Sequence, residues 1–256
     1  MSGSPVFSII KTTILFPDPV EQLSSGKIMD KPLTIATWNV ERYPQKRWRL
    51  AYLNDKLRKL MPDITVLTET NVCITPNTDY KNYHSGQLEK ELGGSYYQEG
   101  ERRVGIWSKY EITGYPEVTD RLTTACALLD TPLGELAVFG CITGVWGRGE
   151  QFDTDFRNQI ADLKRLTEKY SVCYAGDLNL TFSDNTYTNI KKRDELNAEF
   201  SSLKMMNLTA DIPGNIDHIV VSESFFSGVS GPVRCWNKGK QLSDHMGVMV
   251  SLIAKQ

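Results

Sequence analysis

The chain has 256 residues, 40% of them hydrophobic, with 29 basic and 31 acidic side chains and a formal net charge of −2. That balance belongs to a folded chain long enough to bury a substantial core, and it excludes disorder and fibrous repeats. The longest uncharged stretch, residues 136–147, is far short of the roughly 20 apolar residues a membrane-spanning helix needs.

Residues 1–30 read as a peripheral extension, and residues 31–256 as one domain without a Pro- or Gly-rich linker. The first ten residues lack the early positive charge, long apolar stretch and small-residue cleavage site of a secretory signal, so a cytoplasmic location is expected. The apolar runs then follow at 33–38, 64–67, 104–107, 125–129, 136–142, 172–175, 216–221 and 248–253. Their length and their Val, Ile and aromatic content predict strands buried on both faces. Helical stripes lie between them. Leu50, Leu53, Leu57 and Leu60 form one that stops at Pro62, and Phe156, Ile160, Leu163 and Leu166 form another. A third helix is expected over 194–206, with Leu196, Phe200 and Leu203 inward. The expected architecture is α/β, with sheets packed face to face and helices outside. Trp48 and Trp236 are expected to pack in the core. The cysteines Cys73, Cys126, Cys141, Cys173 and Cys235 form no C-x-x-C pair and read as reduced, buried thiols.

Chemistry gathers where the runs end. Asn39 closes the first and Glu69 follows the second; Gly176, Asp177 and Asn179 follow the sixth; Asp217 and His218 open the seventh; Ser243, Asp244 and His245 precede the last. Loops at neighbouring strand ends converge in space, so residues distant in sequence can meet there. Glu69, Asn39 and Asp244 are hard oxygen donors of the kind that hold Mg²⁺ with water and substrate phosphate. Asp177 is suited to orient or deprotonate a water, and Asn179 to hold a phosphate oxygen or the nucleophile. Asp217 is the natural partner of His245, and an imidazole among carboxylates should be more basic than a free one.

In order along the chain, the motifs are Ile35-Ala36-Thr37-Trp38-Asn39-Val40, Pro62-Asp63-Ile64-Thr65-Val66-Leu67-Thr68-Glu69 and Val104-Gly105-Ile106-Trp107-Ser108. Then come Ala175-Gly176-Asp177-Leu178-Asn179, Ile216-Asp217-His218-Ile219-Val220-Val221-Ser222 and Ser243-Asp244-His245. Each string is weak alone. In this order they resemble the endonuclease/exonuclease/phosphatase (DNase I-like) superfamily from Leu33 to the C-terminus. The resemblance implies a four-layer α/β sandwich of two packed mixed sheets flanked by helices, with the site at one edge. It makes Glu69 the principal metal ligand with Asn39 beside it, assigns water and phosphate to Asp177 and Asn179, and sets Asp217 behind His245 next to Asp244. The preferred reading puts His245 on the phosphoryl centre and Asp177 on the water; the exchange of these roles stays open. Mg²⁺ is the implied cofactor, with Mn²⁺ able to substitute.

One departure falls after the fifth run. Deoxyribonuclease-like members carry a His there and apurinic enzymes tend to carry a Tyr, whereas this chain reads Cys141-Ile142-Thr143-Gly144-Val145. Thr143 is the nearest equivalent, and a hydroxyl of such high pKa is a poor acid, which leaves the leaving group to the metal or to Arg148. The Pro-x-Trp-Cys-Asp-Arg string of inositol-polyphosphate phosphatases is absent before Asp217, and so are the aromatics of an abasic pocket.

A pI near 6.0 is not the global signature of a nucleic-acid binder. Between Arg42 and Lys59, however, seven basic residues face one acid, Asp55, for a local charge of 7 − 1 = +6. Arg47 and Arg49 in this cluster, with Arg148 and Thr143, are the candidate substrate contacts; Arg102, Arg103 and residues 191–193 are further candidates. The leading expectation is a Mg²⁺-dependent nuclease acting on nucleic acid, DNA favoured, with no membrane and no obligate protein partner. The alternatives are a phosphatase or phosphodiesterase of a small metabolite or lipid headgroup, enclosed by polar loops at 77–87 and 181–194, and a weakly active phosphate-binding module.

Overall fold

The computed structural model describes residues 31–42, 47–145, 149–187 and 189–254, the side chain of Arg47 apart. The expected extension, 1–30, therefore lies outside the described residues. The first half of the chain forms β1 (Leu33–Asn39), α1 (Arg47–Leu60), β2 (Ile64–Asn71), β3 (Lys81–His84), β4 (Glu91–Leu92), β5 (Ser95–Tyr96), β6 (Glu101–Ser108), β7 (Ile112–Gly114) and β8 (Thr124–Thr131). The second half forms β9 (Gly134–Ile142), α2 (Glu150–Thr167), β10 (Ser171–Asp177), α3 (Ile190–Ser202), β11 (Met205–Asn207), β12 (Asp217–Ser222), β13 (Gly228–Val229), β14 (Arg234–Trp236) and β15 (Gly247–Ile253).

All eight apolar runs are strands, and they sort into two sheets. One has the order β13-β15-β1-β2-β6-β3, with β14 also on β15; the other has the order β11-β12-β10-β9-β8-β7. Both are mixed, because β1 is parallel to β2 but antiparallel to β15, while β10 is parallel to β9 but antiparallel to β12. Parallel pairs need crossovers, and α1 and α2 supply them.

Each helix covers an outer sheet face, while the inner faces pack on each other. Ile35, Val66, Val104 and Ile106 meet Ala127, Val138, Cys173, Ala175 and Ile219 between the sheets. Gly140 marks a close approach there, since a Cβ would lie 2.6 Å from Val104 Cγ1. Outside the first sheet, Leu53 and Leu57 of α1 pack on Trp38, Leu67 and Trp107. Outside the second, Phe156 and Leu163 of α2 and Phe200 of α3 pack on Phe139, Tyr174 and Val220. Burial of each such side chain contributes about 1.5–3 kcal/mol. The result is the expected four-layer α/β sandwich.

Several details correct the sequence reading. The third helix starts at Ile190 rather than 194, because the Asn189 side chain accepts the Lys192 N–H at 3.3 Å and caps it. Residues 81–84, expected in a polar loop, form β3 against β6. Trp236 is buried, but Trp48 is 56% exposed: it sits on the face of α1 opposite the leucine stripe. Cys126, Cys141 and Cys173 are buried, whereas Cys73 is exposed and Cys235 half-buried. No described helix is long and apolar enough to cross a membrane.

Candidate active site

Strand register brings the chemistry together. Asn39 ends β1 opposite Thr68, one residue before Glu69, and Asp177 ends β10 opposite Asp217, the first residue of β12. Gly176 allows the second arrangement. Its φ is 144°, and a Cβ would fall 1.9 Å from the Cys141 carbonyl oxygen, so no side chain fits before Asp177.

The two sheets are then tied by hydrogen bonds across the edge. The Asn39 backbone N–H donates to Asp217 Oδ1 at 2.8 Å, and its side-chain Nδ2 donates to Asp177 Oδ2 at 3.0 Å. Asp177 Oδ1 accepts the Asn179 N–H at 2.9 Å, and Asn179 Nδ2 donates to the Thr143 carbonyl at 2.7 Å. Asp217 Oδ2 lies 2.6 Å from His245 Nδ1. On its other side, His245 Nε2 stands 3.9 Å from Asp177 Oδ2 and 3.7 Å from Asp244 Oδ1.

The loop that carries His245 is pinned. The Ser243 hydroxyl donates to the Asn39 carbonyl at 2.7 Å and accepts the His245 N–H at 3.0 Å. Asn237 Nδ2 donates to the carbonyls of Ser243 and His245 at 2.8 and 2.6 Å, and Trp38 Nε1 donates to the latter at 3.1 Å. Burial opposes a charge on His245, but the contact and hydrogen bond with Asp217, aided by Asp177 and Asp244, win and push its pKa up to about 10. Burial raises the Asp177 carboxyl to about 7, with His245 pulling it down and Asp217 pushing it up. The edge thus pairs an imidazolium with a carboxyl that changes charge near neutrality.

Glu69 faces the same cluster from β2. Its backbone is left-handed, with φ of 47°, as is that of Asn179, with φ of 52°; both non-glycine residues carry local strain beside the chemistry. Burial raises the Glu69 pKa against the opposing pull of Arg103, His245 and Arg42. Arg103 Nη1 is 3.8 Å from Glu69 Oε1, too far for a hydrogen bond. Arg42 and Arg103 both lie over the Tyr97 ring, and Arg42 pairs with Glu101 at 3.1 Å. Among the described residues, no three His, Cys, Asp or Glu side chains close into a metal cage.

The endonuclease/exonuclease/phosphatase family model matches residues 36–245, which spans every group named above. The chain belongs to this family. Solved structures share the fold. The endonuclease domain of TRAS1, a telomere-specific non-LTR retrotransposon, is 16% identical with a TM-score of 0.65 over 88% of this chain and 100% of that one. An endonuclease/exonuclease/phosphatase protein from Beutenbergia cavernae is 15% identical with a TM-score of 0.63 over 88% and 72%. A variant of the 3′ phosphatase NExo from Neisseria, bound to a product DNA hairpin, is 17% identical with a TM-score of 0.62 over 86% and 99%. No curated protein matches the sequence.

As an endonuclease/exonuclease/phosphatase family member, the chain is a hydrolase of phosphoester bonds, and its candidate residues can be placed one by one. Asn39, Asp177, Asn179, Asp217, Asp244 and His245 come together, and Glu69 lies within their field. Thr143 does not offer its hydroxyl as expected. That group is buried and donates to Gln159 Oε1 at 2.8 Å, so Thr143 enters the site through its carbonyl. Arg49 Nη2 donates to the Leu242 carbonyl at 2.9 Å, on the loop before Ser243. Arg148 lies outside the described residues, as does the Arg47 side chain. Arg103 is buried behind Glu69, and Lys192 pairs with Asp153 and Glu195, so neither is a simple phosphate contact.

Ser243, Asn237, Gln159 and Trp38 hold this family edge in place, and sequence reasoning missed them in that role. They act on backbone carbonyls or on a side chain far away in sequence, and local pattern carries no sign of that. His218 is fully buried, and its Nε2–H faces the carbonyls of Leu180 and Asn215 at 3.0 and 3.1 Å. Burial pushes its pKa down to about 4, so it is a neutral brace behind the family's Asp217.

Proposed function

We propose that the protein is a Mg²⁺-dependent nuclease that hydrolyses phosphodiester bonds of nucleic acid, DNA ahead of RNA, by in-line attack of water. The observation that carries this reading is the Asp217–His245 pair at 2.6 Å beside Asp177. The half-buried Glu69 carboxylate, which no arginine nitrogen of the described residues approaches closer than 3.8 Å, fits a divalent ion, with Asn39 and Asp244 as neighbouring oxygen donors; Mn²⁺ would serve in its place. Few protein ligands are consistent with an ion whose remaining positions go to water and phosphate. When bound, the ion polarises the phosphoryl group and offsets its developing charge.

The chain's own groups do the rest. Asp177, with a pKa of about 7, takes the proton from the attacking water, while Asn39 Nδ2 and the Asn179 N–H fix its orientation. His245, held as imidazolium by Asp217, donates from Nε2 to a phosphoryl oxygen. In this reading Asp177 is the general base. With the Thr143 hydroxyl engaged by Gln159, no acid at that position protonates the leaving oxygen, so its charge would be offset by the bound ion or Arg148 and its proton would come from solvent. The basic cluster around Arg47 and Arg49, and Arg148, would contact flanking phosphates.

Two of the structural neighbours are an endonuclease domain and a 3′ phosphatase bound to a DNA hairpin, which supports DNA as the polymer. The second of these also favours an alternative, removal of a terminal phosphate. The test is hydrolysis of single- and double-stranded oligonucleotides and of a phosphomonoester panel, with Mg²⁺ or chelator. Internal cleavage that requires Mg²⁺ and is lost in Glu69→Gln supports the nuclease. Release of phosphate from monoesters alone would replace it with the phosphatase.

A further inference from the structure

Helix α2 buries polar side chains beside its apolar stripe. Asp155, Gln159 and Asp162, spaced i, i+4 and i+7 along one side of the helix, are each at most 2% exposed, next to Phe156, Ile160 and Leu163. Such groups cost stability unless they are hydrogen-bonded, and all three are. Asp162 serves another part of the protein, accepting the Thr119 N–H and hydroxyl at 2.7 and 2.9 Å. The other two converge on the segment that leaves β9. Gln159 Nε2 donates to the Ile142 carbonyl at 3.1 Å, and because a carbonyl only accepts, this bond fixes which way the amide faces. Its Oε1 then accepts from the Thr143 and Tyr174 hydroxyls, each at 2.8 Å. One turn earlier, Asp155 Oδ2 accepts the Gly144 N–H at 2.9 Å, while Gln151 Nε2 donates to Oδ1 at 2.7 Å. Two side chains of one helix thus hold three consecutive residues, 142–144.

On its other side this segment meets the catalytic edge. Thr143 N–H donates to the Asp177 carbonyl at 3.0 Å, and the Thr143 carbonyl accepts Asn179 Nδ2 at 2.7 Å. Asn179 needs such an anchor, because its backbone is left-handed, with φ of 52°, and its N–H in turn holds Asp177 Oδ1 at 2.9 Å. An unbroken path of hydrogen bonds therefore leads from α2 through 142–144 to the carboxylate. A buried network with every member satisfied is rigid. Apolar side chains at 155 and 159 could fill the same space, but they could not direct the Thr143 carbonyl.

We propose that Asp155 and Gln159 are positioning residues for hydrolysis: acting through residues 142–144, they hold Asn179, and with it the Asp177 carboxylate, in the arrangement that receives the attacking water. The proposal rests on the reading of Asp177 as general base, and it holds for whichever phosphoester the protein cleaves.

The test uses the full chain and two readouts. In steady-state kinetics, Gln159→Leu and Asp155→Leu lower kcat about ten- to a hundred-fold with KM kept, the cost of a misplaced reacting group, while Asp155→Asn, which still accepts the Gly144 N–H, keeps the wild-type kcat. In an Asn179→Ala background, Gln159→Leu costs no more than about two-fold, because the link through which it acts is already gone. Amide hydrogen exchange needs no turnover: in Gln159→Leu the Asn179 N–H exchanges at least about ten-fold faster, while Val138, in the middle of β9, keeps its protection. If the leucine variants do not fold, Thr143→Val, which removes only the hydroxyl bonded to Gln159, shows the same changes at smaller size. Wild-type kcat or unchanged Asn179 exchange in the folded variants, or losses that multiply with Asn179→Ala, would overturn the proposal. Phosphate release from monoesters alone removes the nuclease reading and leaves this one standing. Faster Asn179 exchange in a protein that hydrolyses no phosphoester would remove the general base, and the catalytic role of α2 with it, leaving only the anchoring of Asn179.

Discussion

The active edge has two sides that differ in how completely its carboxylates are satisfied. On the β10–β12 side, Asp177 accepts from Asn39 Nδ2 and Asn179 N–H at 3.0 and 2.9 Å, and Asp217 accepts from Asn39 N–H at 2.8 Å and meets His245 at 2.6 Å. On the β2 side, Glu69 has its nearest arginine nitrogen among the described residues at 3.8 Å and a strained backbone. The first side is closed by its own hydrogen bonds. The second keeps a desolvated carboxylate whose charge is under-compensated, which is where a cation would add most.

The largest expected effect breaks the satisfied side. Gly176→Ala drives a Cβ into the Cys141 carbonyl, and should destabilise the fold by more than about 4 kcal/mol in denaturant titration. A loss below about 1 kcal/mol would mean that the β9–β10 edge yields easily. Next, His245→Ala removes the group proposed to donate to the phosphoryl oxygen, together with its contact to Asp217. Its kcat should fall roughly 10²- to 10³-fold, the cost of one charge-stabilising donor.

The pH profile sharpens the contrast. Activity should rise as Asp177 loses its proton near pH 7 and fall as His245 loses its own near pH 10. Stability in chelator follows the same histidine. Its folded pKa of about 10 lies above the ordinary 6.5, so its contribution is complete below 6.5 and is lost as pH rises through about 10. The difference in denaturation midpoint between wild type and His245→Gln should therefore shrink across that interval, and a constant difference would refute the pairing with Asp217.

How much of this the sequence could disclose depends on whether a residue acts locally. The eight long strands announce themselves because both faces are buried and the runs are continuous. Lys81–His84 does not, since it is half-exposed and owes its strand form to edge pairing with β6. Asn39 and Asp177 end their strands, Glu69 lies two residues before the end of β2 and His245 two residues before β15, and their order along the chain points to a shared edge. Ser243 and Asn237 are different: their bonds reach carbonyls, in one case 204 positions away, and no spacing rule encodes them. The Thr143 expectation fails because sequence places a residue but not its hydroxyl, which Gln159 holds inward. Trp48 is legible in principle. The stripe of Leu50, Leu53, Leu57 and Leu60 already puts it on the opposite face.

The smallest expected effect lies at the rim. Arg49→Gln should weaken oligonucleotide binding modestly and reduce the slope of log K against log salt by about 1. An unchanged slope would show that Arg49 serves contacts within the protein, among them the Leu242 carbonyl and Glu41, rather than substrate phosphate.

The most direct test of the contrast is calorimetric titration of the metal-free protein with Mn²⁺, comparing wild type and Glu69→Gln. The account predicts one bound ion in the wild type and at least about a ten-fold loss of affinity in the variant, as when a charged ligand is removed. Equal affinity in both proteins would contradict it, because the under-satisfied carboxylate would then not be where the cation is held.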